Sequence, residues 1–276
     1  NTVGLSAAGL VNITGDRTQG VIISGLTSIG GDNTSGLMIS GFMNVTGNMA
    51  SGLHFSGAAN ITGQSFGGLM ASGLLNVVGE HMNGLQIAGI ANITASKLNG
   101  VQIALCNYAT QARGLQIGLV NYYKEDMKGF QLGLVNANPD TRVQMMVYGG
   151  NATPANIGVR FKNQLFYTIL GIGSMYQGLN DKFSASASYR AGLSFTLYKG
   201  LSISGDLGYQ HIEAFDNKDE VIPKRLYALQ ARANLEYQFT RKFGIFATGG
   251  YGLTRFYNKS SNYDKGAIIE AGIVLF

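Results

Sequence analysis

Glycine returns at positions 4, 20, 36, 52, 68, 84 and 100, and each of these glycines opens a near-copy of one 16-residue unit. Two copies show the pattern: Gly36-Leu37-Met38-Ile39-Ser40-Gly41-Phe42-Met43-Asn44-Val45-Thr46-Gly47 and Gly84-Leu85-Gln86-Ile87-Ala88-Gly89-Ile90-Ala91-Asn92-Ile93-Thr94. Self-similarity at a short fixed period marks a repeat architecture. A helix is excluded, because glycine at the first and sixth position of every unit costs about 1 kcal/mol each time in a helix. Strand, tight bend, strand suits the unit, since glycine supplies bends and left-handed backbone cheaply.

The ninth position decides how the units stack. It is asparagine in Asn12, Asn44, Asn60, Asn76 and Asn92, with Ser28 the exception. An antiparallel meander would put those side chains at alternating ends of the sheet. A solenoid, in which every coil runs the same way, stacks them into a ladder of amides about 4.8 Å apart. The spacing therefore favours a β-solenoid of nine coils over residues 4–136, about 40 Å long, with Leu37, Ile39, Leu53, Phe55, Leu85 and Ile87 expected to point inward.

Toward the end of this region the copies shorten to Gly114-Leu115-Gln116-Ile117-Gly118-Leu119-Val120-Asn121 and Gly129-Phe130-Gln131-Leu132-Gly133-Leu134-Val135-Asn136. Here the chain resembles a family of bacterial surface-repeat proteins built on GLQIGLVN-type repeats, closely over residues 100–136 and loosely over 4–99. The resemblance implies an envelope protein of Gram-negative bacteria and carries over no catalytic residue.

Composition then breaks. Before residue 110 the only charges are Asp16, Arg17, Asp32, Glu80 and Lys97, and the only aromatics are Phe42, Phe55, Phe66 and Tyr108. The turn-forming triplet Asn138-Pro139-Asp140 marks a boundary between a repeat region, 1–140, and a second region, 141–276. In the second region apolar and polar residues alternate over ten or more positions. Tyr227, Leu229, Ala231, Ala233, Leu235, Tyr237 and Phe239 share one face of a segment, and Gln230, Arg232, Asn234, Glu236 and Gln238 share the other. Such segments, with aromatics near their ends, mark a transmembrane β-barrel. Tight connectors at Lys162–Gln164, Tyr198–Gly200 and Thr240–Lys242 alternate with longer polar ones at Tyr176–Lys182, Ala214–Lys224 and Asn258–Gly266, as periplasmic turns and extracellular loops do. The terminal Phe276, on an amphipathic last segment, resembles the assembly signal of outer-membrane barrels.

Eight strands are expected, near residues 142–149, 155–161, 165–176, 183–197, 201–213, 225–239, 243–257 and 267–276. At that strand number side chains fill the interior. The inward faces carry Arg160, Arg190, Asp206, Arg232, Glu236 and Glu270, which unpaired would be very costly and so read as a mutually paired plug.

The remaining features narrow the function. The net charge of +5 is spread over turns and lumen, with no cluster of Lys and Arg among aromatics, which argues against nucleic acid. No apolar run approaches the ~20 residues of a membrane helix. Asn1-Thr2-Val3-Gly4 begins mid-pattern without a leader, so the chain reads as a mature or trimmed product. The lone cysteine, Cys106, reads as a small core residue. His54 and His81 fall at different repeat positions and cannot share a ligand row. His211 and Glu213 share a face, where a Ser-His-acid lipid hydrolase could sit, but no serine is singled out. No cofactor or metal site is expected.

The expectation is an all-β chain, a β-solenoid of 14–16-residue repeats followed by an eight-stranded antiparallel outer-membrane barrel. Its expected role is a non-enzymatic scaffold for envelope or surface interactions, alone or within a larger outer-membrane complex, with outer-membrane lipid and other envelope proteins as partners. The alternatives are a porin-like channel in which the repeats add strands to one wide barrel, and the small lipid hydrolase. An even strand count puts the repeats on the periplasmic side; loss of the first strand would put them outside.

Overall fold

Each glycine that opens a repeat takes a positive φ, from +108° at Gly52 to +147° at Gly129. At Gly84 the angle is +130°, and a Cβ built there would collide with the Gly68 carbonyl oxygen one coil below. Only glycine satisfies both constraints. In this computed structural model, which describes residues 1–174, 183–215, 225–257 and 262–276, the chain divides into two units, Asn1–Pro139 and Asp140–Phe276.

The first unit is a parallel β-solenoid. Long strands such as Asn33–Ser40, Met49–Ser56, Ser65–Ser72 and His81–Ala88 pair in parallel, aligning Gly36, Gly52, Gly68 and Gly84. Short strands Met43–Thr46, Ala59–Thr62 and Leu75–Val78 pair in parallel on the other side, aligning Asn44, Asn60, Asn76 and Asn92. From Ala91 onward the two kinds join into continuous strands, Ala91–Ile103, Cys106–Ile117 and Val120–Leu132. Register shifts near Thr94/Lys97 and Ala109/Gln111 absorb the shorter repeats.

The side chains run opposite to expectation. Thr34, Met38, Ser40, Asn44 and Thr46 are buried, whereas Leu37 and Ile39 face outward, Ile39 at 37% exposure. Leu53, Phe55, Leu85 and Ile87 face outward in the same way, so the six residues expected to fill the interior do not. The reason is parity. Once the asparagines turn inward and bond from coil to coil, the period of two puts each Leu and Ile on the outer face. Cys106 is also exposed, on that outer face rather than in the core.

The second unit is a closed antiparallel barrel of eight strands: Arg142–Gly150, Ala155–Asn163, Phe166–Ser174, Ser184–Tyr198, Leu201–Ala214, Arg225–Thr240, Phe243–Phe256 and Asn262–Leu275. The first and last strands pair from Met145↔Leu275 to Gly150↔Glu270. The barrel therefore closes without any strand from the repeats, contrary to the wide-barrel alternative. The last strand starts earlier than expected, with Asp264 opposite Thr254 and Gly266 opposite Gly252, where a loop was read. Backbone pairing continues past the apolar band, and the polar side chains concealed it. The connector Tyr176–Lys182, most of Ala214–Lys224 and the residues 258–261 lie outside the described residues.

Candidate functional site

Three arrangements could carry function: the barrel lumen, the barrel's outer aromatic rims and the two-sided surface of the solenoid. In the lumen every expected charge is buried and paired. Arg160 donates to Glu236 at 2.5 and 3.0 Å and to Gln144 Oε1 at 2.7 and 3.0 Å. Arg190 donates to both oxygens of Asp206, at 2.8 and 2.7 Å, and to Asn234 at 3.0 Å. Arg232 donates to Glu270 at 3.0 and 3.1 Å, and Arg190 Nη1 stands 3.7 Å from the same carboxylate. Tyr167 and Asn234 add bonds of 2.7 and 2.8 Å to Asp206. Bidentate pairs of this kind are the strongest way to hold charge out of water. Met146, Tyr148, Tyr167, Ile169, Phe246 and Val274 pack beside them. A cavity of about 500 Å³ lined by Arg142, Lys162, Glu236 and Gln238 lies at the tight-turn end of the lumen. One of about 190 Å³, lined by Gln230, Thr254 and Lys265, lies at the other end. The ion-pair layer lies between them.

The outer surface of the barrel is apolar. Val147, Ile157, Ile172, Leu193, Ile203, Leu207, Leu229, Leu235, Ile245 and Ile269 are all exposed. Aromatics gather at both ends: Tyr237, Phe239 and Phe243 toward the tight turns, and Tyr209, Tyr227 and Tyr257 toward the other rim. Tyr227 and Tyr237 are ten residues apart on one strand, roughly 33 Å along it, or about 25 Å of height at a tilt of about 40°. That is the height of a lipid-facing band. His211 joins the second rim, with Nδ1 2.7 Å from the Tyr257 hydroxyl and Nε2 3.4 Å from Glu213, which Arg225 also holds at 3.0 Å. The cross-strand neighbours of His211 are Ala187 and Tyr227; Ser174 and Ser186 line the same recess as His211 and Glu213, and Ser186 Oγ accepts from Gln210 at 2.8 Å.

The solenoid has two unlike edges. The outward positions around the bend are apolar, as Leu37, Ile39, Phe42, Met43 and Val45 in one copy and Leu85, Ile87, Ile90, Ala91 and Ile93 in another, with Thr27 an exception. All charges of residues 1–137 lie on the opposite edge, at Asp16, Arg17, Asp32, Glu80, Lys97, Arg113 and in the run Lys124–Lys128. The interior is reversed to match. Behind the apolar edge stand Ser40, Asn44, Asn60, Asn76 and Asn92, and toward the charged edge the core is Ala50, Phe66, Val78, Met82 and Leu98.

The asparagines form the ladder that their spacing implied. Asn44 donates to Asn60 at 2.8 Å, Asn60 to Asn76 at 2.9 Å and Asn76 to Asn92 at 2.9 Å. The chain continues through Asn107 and Asn121 to Asn136. At Ser28 it is interrupted, and Ser28 bonds Ser24 instead; Asn12, beyond the gap, accepts from Ser6. A second ladder escaped sequence reading: Gln102 donates to Gln86, Gln116 to Gln102 and Gln131 to Gln116, at 2.8 to 2.9 Å. Its signal was the shared third repeat position, masked because earlier coils hold Ile22, Met38, His54 and Met70 there. His54 is buried against Phe66, its ring edge-on at 4.9 Å, and burial lowers its pKa to about 4. His81 stays on the charged edge, 3.7 Å from Glu80. Among the described residues no group of His, Cys, Asp and Glu could hold a metal ion, and no helix is long and apolar enough to cross a membrane.

No protein-family model matches the chain, and no curated protein matches it either. Among solved structures it is similar to the N-terminal β-barrel domain of Pseudomonas aeruginosa OprF, at 16% identity and a TM-score of 0.32, covering 48% of this chain and 93% of that one. It is also similar to Neisserial surface protein A, at 9% identity and a TM-score of 0.31, covering 48% of this chain and 92% of that one.

Proposed function

We propose that this chain is a non-enzymatic protein of the bacterial outer membrane, in which the barrel is a membrane anchor and the solenoid an interaction scaffold akin to GLQIGLVN-type surface repeats. The observation that carries the reading is the inverted polarity of the barrel, apolar outside and charge-paired inside. Only a closed barrel or a helix satisfies its backbone within lipid, and unpaired charges inside it would be prohibitive. The filled middle of the lumen speaks against conduction, and His211 serves as a rim residue beside Tyr257.

The strand entering the barrel at Arg142 begins at the tight-turn end, where Arg142 pairs with Lys162. If tight turns face the periplasm, the repeats leave the barrel on that side. Other envelope proteins are the partners that the charged edge would meet. Reconstitution in planar bilayers tests the anchor reading. Folded protein should insert, migrate as a heat-modifiable band and show no unitary conductance. Regular conductance steps would replace it with the channel reading, and failure to insert into any bilayer would refute it.

A further inference from the structure

The solenoid carries an exposed apolar edge that the anchor role does not require. Phe42, Leu74, Ile90, Leu105 and Leu119, all at the bends, are between 48% and 55% exposed. Repeated over the coils and broken only by the small, buried Ala58, they build a stripe unlike the scattered apolar residues of an ordinary protein surface. We propose that this edge is immersed in one leaflet of the membrane that the barrel spans, so that the solenoid is a monotopic lipid-inserted element; the inference rests on the anchor reading above.

Two observations, the first and the third below, favour lipid over a protein partner, and two more permit it. The first is the reversal of the interior. Toward the charged edge the coil is built for water, with Phe66, Met82 and Leu98 inside, whereas behind the bends it is built for hydrocarbon, with Asn and Ser inside and Leu and Ile outside. That apolar filling begins at Ala50; in the earlier coils Thr18, Thr34 and Thr46 are buried on that side instead.

The second is backbone saturation at the bends. Phe42 N and Met43 N both donate to Leu26 O, at 2.8 and 3.0 Å, and Leu74 N and Leu75 N to Ala58 O, at 3.0 and 2.9 Å. The pattern recurs where Ile90 N and Ala91 N donate to Leu74 O at 2.9 Å. Hydrocarbon tolerates irregular backbone only when its polar groups are so satisfied. The charged-edge bends do the same, Gln64 N and Ser65 N donating to Asn48 O at 2.8 and 3.1 Å, so saturation permits immersion without selecting the edge.

The third is size. From Gly36 to the bend at Gly41 the strand advances five residues, roughly 16 Å, which matches half of a hydrocarbon core of about 30 Å. The fourth is the tether. Only four residues, Asn138–Thr141, separate the last solenoid strand, Val135–Ala137, from the first barrel strand. They span at most about 14 Å.

The chain contains no tryptophan, which makes single-tryptophan reporters unambiguous. Phe42→Trp and Ile90→Trp probe the apolar edge, Gln64→Trp and His81→Trp the charged edge, and Leu229→Trp the lipid face of the barrel. Each full-length variant is reconstituted into phosphatidylcholine vesicles with and without brominated acyl chains. Immersion predicts blue-shifted emission quenched by bromine for Phe42→Trp and Ile90→Trp, matching Leu229→Trp, and unquenched emission for the charged-edge pair. If Leu229→Trp is quenched while the two edge reporters are not, the inference is overturned and the anchor reading stands. Blue-shifted, unquenched edge emission would then point to a second copy covering the stripe. Equal quenching at both edges would overturn the one-sided placement. An unquenched Leu229→Trp would overturn the anchor reading and the inference with it.

Discussion

His54 shows how one buried residue ties the solenoid to pH. Burial holds its folded pKa near 4, against 6.5 for an ordinary histidine. Between those values the unfolded chain binds a proton that the folded chain refuses. The contribution of His54 to stability should be constant above about pH 6.5 and fall as pH drops toward 4, by up to about 3 kcal/mol. His54→Met, which continues the column of Met38 and Met70, should flatten that slope, and urea midpoints measured above pH 7 and near pH 5 would reveal it. The lumen poses a different residue-scale question. Glu236→Gln leaves the Arg160 guanidinium buried against a neutral partner and should cost about 3–5 kcal/mol. Arg160→Met combined with Glu236→Met should cost much less than the single change. Midpoints of heat-modified migration in micelles give the comparison, and equal losses would show that the pair is not the unit of stability.

At the scale of the element, the ladder is what makes the coils a solid. Asn76 donates to Asn92 and to the Ile87 carbonyl, and accepts from Asn60. Asn76→Leu leaves those groups without partners, at about 1–3 kcal/mol each, and amide exchange should accelerate first in the coils on either side, 59–62 and 91–94. Unchanged exchange there would mean that the backbone pairing alone sustains the stack. The ladder was legible because one residue type recurs at one spacing, and that recurrence also disclosed the parallel direction. Which face turns inward was not legible. Leu37 and Ile39 follow the rule for a core in water, and hydropathy cannot say that the medium outside differs from water. The barrel strands were easier, since ten residues of alternation admit one face assignment. Where alternation lapsed, at Asn262–Gly266, the strand was read as loop although its backbone pairs. The glutamine ladder shows the opposite case, a spacing in plain view whose chemistry changes halfway along the stack.

For the whole molecule, the proposed sidedness rests on the order of strands. Arg142 and Leu275 both lie at the tight-turn end, as the pairing of Met145 with Leu275 and of Arg142 with Lys162 requires. The repeats therefore join the barrel at that end. Protease added to intact cells should spare residues before 140, and permeabilising the outer membrane should expose Lys97, Arg113 and the Lys124–Lys128 run to trypsin. Cleavage in intact cells with the barrel left whole would reverse the orientation, and with it the leaflet in which the apolar edge lies.

The exact register of the coils has a consequence for heredity. Because Gly52 and Gly68 occupy the same place in neighbouring coils, removing residues 53–68 joins Gly52 to Leu69 without moving any ladder out of line. Such a shortened chain should keep its barrel and fold one coil shorter, by about 4.8 Å, as scattering from the detergent-solubilised protein would measure. Gain or loss of one whole repeat in the gene would thus lengthen or shorten the protein by whole coils. Reach becomes a trait that selection adjusts in even steps, while the anchor and every surviving contact are inherited intact.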